Sequence, residues 1–339
     1  MPQPQDIGDR INGDVLSAAG ELAARFQSAR PFPHVVIDDF LAADFCRDLV
    51  EQFPAFDERA ALNEDGKPGG KATQEQVRAL GPAYRHLDDL VQSPGFLALI
   101  ERITGIRGLL YDPWYFGGGT HENRQGQDLD PHIDFNYHPI THQHRRLNLI
   151  VYLNEEWRDE WGGSLQLHRD PTREAAEDEI VTVTPVMNRC VVFETSERSW
   201  HGFRRIELPD DRRRLSRKSF ALYFYSEDRP PAETAIEHST VYIERHLPDR
   251  FVAGLMLSET DVQELRTLLA RRDQHLQRLY RQVQELNGRL SGSWLYSAEM
   301  QLRRRVHELE NSTSWRITKP LRALRRMLGG RGPAGGSRD

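Results

Sequence analysis

Cysteine is scarce in this 339-residue sequence: Cys46 and Cys190 are its only two, 144 positions apart. That excludes a disulfide framework or a zinc knuckle and leaves two small buried thiols, as expected of a reducing compartment. Long apolar runs are absent, and none approaches the ~20 residues needed to cross a bilayer. Met1-Pro-Gln-Pro-Gln-Asp6 lacks the basic start and apolar stretch of a secretory leader, so the expected location is cytoplasmic. An excess of one charge is also lacking, with 45 Lys+Arg against 51 Asp+Glu. The balance is uneven along the chain. Residues from Arg303 onward carry ten basic and three acidic side chains, or +7, which leaves −13 on residues 1–302. An acidic body offers no phosphate-tracking groove, so no nucleic acid is expected as partner. The basic end suits an anionic surface.

Four zones separate along the chain. Residues 1–30 form a helical lead-in, with Val15 to Phe26 amphipathic. Residues 31–232 read as one domain. It opens with a strand at Val35-Val-Ile-Asp-Asp-Phe40 and a helix capped by Asp44, whose Phe45, Leu49, Val50 and Phe53 share a face. A polar loop, Asp57 to Lys71, and a helical stretch from Gln74 to Thr104 follow. From about 109 to 225 the pattern becomes short β-rich runs: Leu147–Leu153, Ser164–His168, Ile180–Thr184, Cys190–Phe193 and Ser219–Tyr225. Such runs, punctuated by Trp161-Gly-Gly163 and Asp170-Pro171, predict a β-sandwich or barrel, of which the double-stranded β-helix is one form. Residues 255–310 predict a coiled coil. Val262, Leu265, Leu269, Arg272, Leu276, Leu279, Val283, Leu286 and Leu290 step by threes and fours, with Gly288 and Ser291-Gly-Ser293 interrupting. A single long helix folding back on the body is the competing reading. Residues 311–339 form a basic amphipathic tail that could lie on anionic lipid.

His132 and Asp134 stand two apart in a strand-like segment, so both side chains point to one face. His201, just after the run Cys190–Phe193, can join them from a later strand. Two histidines and a carboxylate are the donor set that holds non-haem Fe(II) with coordination positions to spare. His86-Leu-Asp88 repeats the spacing inside a helical pattern, where positions i and i+2 diverge, and is a decoy. Oxygen chemistry at such a site needs two further electrons, which one large enzyme class takes from 2-oxoglutarate. The far carboxylate of that cosubstrate requires a cation, and a guanidinium answers with two parallel hydrogen bonds. Arg217 begins a run in which Ser219 and Ala221 share its face while Phe220, Leu222 and Phe224 take the other. Arg214 is held in reserve.

The stretch from about Tyr111 to Tyr225 resembles the Fe(II)/2-oxoglutarate dioxygenase superfamily, in its prolyl 4-hydroxylase-like group. The matching residues are His132-Ile-Asp134, Val151-Tyr-Leu-Asn154, Glu156-Trp157, Trp161-Gly-Gly163, His201 and the Arg217 strand. The resemblance implies an α+β chain: a double-stranded β-helix (jelly roll) core flanked by N-terminal helices and followed by the coiled coil. It implies His132, Asp134 and His201 as Fe(II) ligands, and Arg217, Tyr152 and Ser219 on 2-oxoglutarate, with ascorbate as accessory reductant. Asp134, which related halogenases lose, implies hydroxylation with release of succinate and CO2. Two departures stand out. His201 and Arg217 are 16 positions apart because Ile206 to Leu215 adds a charged loop. Gly117-Gly-Gly-Thr-His121 replaces a tyrosine some members place before the first ligand, which makes His121 a candidate for the pocket wall. Ser314-Trp-Arg-Ile-Thr-Lys-Pro-Leu-Arg322 resembles tails of bacterial surface-polysaccharide enzymes. The expected partners are therefore O2, a peptidyl or surface-glycan substrate, the inner face of a membrane through the tail, and further copies through the coiled coil. The competing function is a coiled-coil scaffold whose jelly roll is not catalytic.

Overall fold

The computed structural model describes residues 7–57, 61, 71–173, 176–243, 247 and 250–291, together with 302–306, 308–309, 312 and 315. The chain divides into two units, Met1–Ser258 and Glu259–Asp339. In the first unit α1 (Gly13–Ser17) and α2 (Ala19–Ser28) precede β1 (His34–Ile37) and α3 (Ala43–Glu51). Ala42, not Asp44, is the N-cap of α3. Asp44 sits in the first turn and pairs with Arg47 there, close to the helix's positive end.

The helical stretch expected over Gln74–Thr104 is three things. β2 (Ala72–Gln74) is a strand, and two helices follow, α4 (Pro82–Val91) and α5 (Pro94–Thr104). Proline explains the break: Pro94 cannot continue α4, but it suits the first turn of a new helix. Ser93 Oγ accepts from Phe96 N (3.2 Å), and Gly105, left-handed at φ 77°, ends α5.

The β-rich region folds into two antiparallel sheets. Its strands are β3 (Leu110–Tyr111), β4 (Gly119–Asn123), β5 (Leu129–Ile133), β6 (His144–Tyr152), β7 (Leu165–His168), β8 (Ile180–Val183), β9 (Cys190–Glu194), β10 (Trp200–Phe203), β11 (Arg217–Ser226) and β12 (Val241–Tyr242). One sheet runs β1-β9-β6-β11-β4-β2, with β3 on β11; the other runs β12-β5-β10-β7-β8. This is a mixed α/β, jelly-roll-like arrangement. Alternation along β11 sorts its residues. Phe220, Leu222 and Phe224 join Leu147, Leu149 and Val151 in the core shared with the helices, while Ala221, Tyr223 and Tyr225 face the other way. Fully burying each such phenylalanine or leucine is worth roughly 1.5–3 kcal/mol, which fixes which face of β11 turns inward. Between Gly117 and Asp130 the chain forms β4 and the start of β5, joined by a turn over residues 124–128. The Ile206–Leu215 insertion also buries apolar residues, since Ile206 and Leu208 pack with Trp157, Trp161 and Phe203.

The second unit contains α6 (Glu259–Ser291), one helix of 33 residues that runs through Gly288 without interruption. Leu269, Leu276, Leu279, Val283 and Leu286 are exposed along it. Among the described residues no helix is long and apolar enough to cross a membrane. Most of the loop 57–71 and of the tail 311–339 lies outside the described residues.

Candidate functional site

His132 is the penultimate residue of β5 and lies on its inward face, Asp134 follows one residue past the strand, and His201 lies on β10 directly opposite His132. Opposed residues of paired strands share a face, so the hydrogen-bond register itself brings the two imidazoles together, 4.2 Å between centroids. His132 Nε2 lies 3.7 Å from Asp134 Oδ1 and His201 Nε2 lies 3.5 Å from Asp134 Oδ2. One ligand atom from each lies within 4.8 Å of the others, close enough for one ion to bridge all three.

Backbone carbonyls set both tautomers. His132 Nδ1 lies 3.0 Å from the carbonyl of Asp130, and His201 Nδ1 lies 2.9 Å from that of Ser199. A carbonyl only accepts, so each Nδ1 carries the proton and each Nε2 keeps its lone pair. Burial pushes the His132 imidazolium down to about 3, with neighbouring His201 adding to the effect, and burial lowers His201 as well. Burial alone would raise the Asp134 carboxyl. Arg145 and the two histidines outweigh it, aided by the Asn148 hydrogen bond, and hold that carboxyl well below the ordinary carboxylate range. At neutral pH the cluster is two neutral imidazoles and one carboxylate, already in the protonation state that metal ligation needs.

Arg145 and Asn148 escaped the sequence reading. Arg145 Nη2 lies 3.0 Å from Asp134 Oδ2, and Asn148 Nδ2 donates to the same oxygen at 2.7 Å. Arg145 also donates to Asn148 Oδ1 and lies over the Tyr223 ring, 3.6 Å from its centroid. Alternation alone would pair Arg146 with Tyr225. A bulge in β6 puts Arg145 opposite Tyr225 instead. Asn148 did leave a signal, as a polar residue inside the apolar strand Leu147–Leu153.

Arg217 is buried at the start of β11. Its Nε donates to Gly163 O (2.6 Å) and its Nη2 to Tyr152 Oη (3.2 Å). Among the described residues no carboxylate forms an ion pair with it, so a buried cation is left without a counter-charge. Ser219 lies opposite both Tyr152 and His121, so those three residues form an inward-facing row beside Arg217. His121 Nε2 lies 3.0 Å from Gly117 O. Arg214, by contrast, is exposed. The turn that supplies Gly163 O depends on its glycines: a Cβ on Gly162, at φ 69°, would come within 1.9 Å of the Arg205 carbonyl oxygen. His86 is exposed on α4, whereas Asp88 is buried and accepts hydrogen bonds from Tyr111, Tyr115 and Arg78. The second His-x-Asp is a structural carboxylate beside a surface histidine.

The donor set, and a buried guanidinium with no carboxylate partner among the described residues, fit a divalent iron and a dicarboxylate. No curated protein matches the sequence. Three solved structures similar to this chain are a prolyl hydroxylase from Trichoplax adhaerens in complex with a hypoxia-inducible-factor peptide, a prolyl-4-hydroxylase from Pseudomonas putida, and HygX from Streptomyces hygroscopicus with nickel and 2-oxoglutarate bound. The first is 17% identical over 62% of this chain and 92% of its own, with a TM-score of 0.43. The second is 20% identical over 60% and 98%, at 0.39, and the third 13% identical over 65% and 94%, at 0.38. The segment that supplies the His-Asp-His cluster and the Arg217 row, residues 118–225, matches the 2OG-Fe(II) oxygenase superfamily.

Proposed function

We propose that the chain is an Fe(II)- and 2-oxoglutarate-dependent dioxygenase that hydroxylates an unactivated C–H bond, with a peptidyl (prolyl-type) or surface-glycan substrate. The observation that carries this reading is the pairing of two sites in one interlayer space. His132, Asp134 and His201 offer a two-nitrogen, one-carboxylate face, and Arg217 stands on the facing sheet as a buried cation without an acid partner among the described residues. With Fe(II) and 2-oxoglutarate bound, O2 would be the oxidant and 2-oxoglutarate would give up two electrons, so that one oxygen atom enters the hydroxylated product and the other enters succinate, with release of CO2.

The chain's own residues prepare that chemistry. The carbonyls of Asp130 and Ser199 keep both Nε2 atoms unprotonated. Arg145 and Asn148 hold Asp134 by Oδ2 and restrict its rotation. Tyr152 and the Gly163 carbonyl orient the Arg217 guanidinium toward a carboxylate, in line with a bidentate grip. Ser219 adds a hydroxyl to the same row. The exposed apolar stripe of α6 supports self-association, and the basic tail supports contact with an anionic membrane.

Oxygen-dependent succinate formation by the Fe(II)-loaded protein tests the reading. His132→Ala is expected to abolish it, while Arg217→Met raises the 2-oxoglutarate KM at least tenfold with metal binding intact. Succinate release undiminished in His132→Ala sinks the ligand assignment. A wild-type protein that binds no iron favours the scaffold reading instead.

A further inference from the structure

β12 lies beyond residues 118–225, yet it is the strand that covers β5. Val241 and Tyr242 pair with Ile133 and His132, and Ile243 N donates to Pro131 O (2.8 Å). The chain from Glu227 to this point is a strap tied down on both sides of the His132–Asp134 triplet. Arg229 donates to the carbonyls of Arg145 (3.1 Å) and Thr195 (2.8 Å), and Glu233 accepts from Arg146 (3.3 Å). Asn136, two residues after Asp134, donates to Ile236 O and accepts from His238 N.

The register has a consequence for the site. Tyr242 opposes His132, and His132 opposes His201, so three rings form one row across β12, β5 and β10. The Tyr242 ring stacks on the His132 imidazole, 5.1 Å between centroids at 27°. Without β12, β5 becomes an edge strand whose outer backbone groups lack protein partners, and edges and strand ends open first. His132 sits one residue from the end of β5. Its ring would then be held by the Asp130 carbonyl and the His201 contact, with one face uncovered.

We propose that Tyr242 is a positioning residue for the metal centre: the strap 227–243 completes the site, and the stacked ring fixes the His132 imidazole in its ligating orientation. The proposal rests on the metal reading above. Loss of an aromatic stack of this kind is expected to leave Co(II) affinity about two- to twelvefold weaker.

The test uses the full chain and two measurements that do not depend on turnover: Co(II) titration followed by its d–d absorption, and hydrogen exchange of residues 129–135 in metal-free protein. Tyr242→Ala is expected to weaken Co(II) binding, alter the band and speed exchange. Tyr242→Phe restores all three, because the ring and not the hydroxyl does the stacking. Ile243→Pro, which removes the N–H donated to Pro131, speeds the same exchange with Tyr242 still in place. Should Tyr242→Ala fail to fold, Tyr242→Leu carries the same expectations. Co(II) binding lost in His132→Ala but unchanged in Tyr242→Ala, with unchanged exchange, overturns the strap's role alone. Co(II) binding equal in wild type and His132→Ala overturns the metal reading and this proposal with it.

Discussion

Asp134 is where the energetics of the site concentrate. Its carboxylate stands between two neutral imidazoles with Arg145 and Asn148 on one oxygen, and that buried cation has no other carboxylate within ion-pair distance among the described residues. Removing one partner of a buried ion pair leaves the other uncompensated and typically costs about 3–5 kcal/mol, against roughly 1–3 kcal/mol for an orphaned hydrogen-bonding group. Arg145→Met is therefore expected to lower the unfolding free energy of metal-free protein more than Asn148→Ala does, read from urea denaturation. The sign with pH follows from the depressed carboxyl of Asp134. Its contribution is present above the unfolded carboxylate value and is lost as the pH falls through the folded one, so the Arg145→Met deficit should shrink on acidification. Equal denaturation midpoints for wild type and Arg145→Met at neutral pH would contradict this account. Half of the residue-level picture was legible beforehand. His132, Asp134, His201 and Arg217 announce themselves by strand spacing and by a charge on a face of small residues. Arg145 did not, because the bulge in β6 exchanges it with Arg146, and a bulge leaves no mark in an alternation pattern.

Elements carry a different kind of information. The β-runs from 147 to 225 were readable because an apolar strand with one polar inward position satisfies both sheet and site. α4 and α5 were merged in the sequence reading because both are amphipathic at similar spacing, and only Gln92-Ser93 separates them. β12 was invisible: two residues, Val241 and Tyr242, have no period to detect, and their pairing with β5 spans more than a hundred residues. α6 is the reverse case. Its three-and-four spacing is plain in sequence, and at about 1.5 Å per residue its 33 residues form a rod about 50 Å long. Leu276 and Val283, 48% and 51% exposed, belong to its apolar stripe. Burying that stripe against a second copy would remove it from water, which a lone helix cannot do. Light scattering of the full chain is expected to give an oligomer that Leu276→Lys with Val283→Lys reduces to a monomer. A wild-type monomer at tens of micromolar would end the self-association reading.

At the scale of the whole first unit, α1 to α5 and the first sheet share one continuous core, and both cysteines belong to it. Cys46 and Cys190 are 0% exposed, and burial raises the Cys46 thiol to about 11 and Cys190 well above the ordinary range. A thiol that is neither accessible nor ionised reacts slowly. Native protein should therefore take up no thiol reagent on the timescale that labels both cysteines after denaturation. Rapid labelling of either in the native state would mean that the helix-backed core opens far more easily than its packing implies.

The sequence by itself determined the donor chemistry and the strand-rich middle, because residue type and period-two spacing are local properties that survive any arrangement of the strands. Tertiary structure alone decided which oxygen of Asp134 is held, that Arg145 rather than Arg146 holds it, and that Tyr242 covers His132. Each depends on register between strands far apart in the chain, and register is set by how the two sheets bury their faces together.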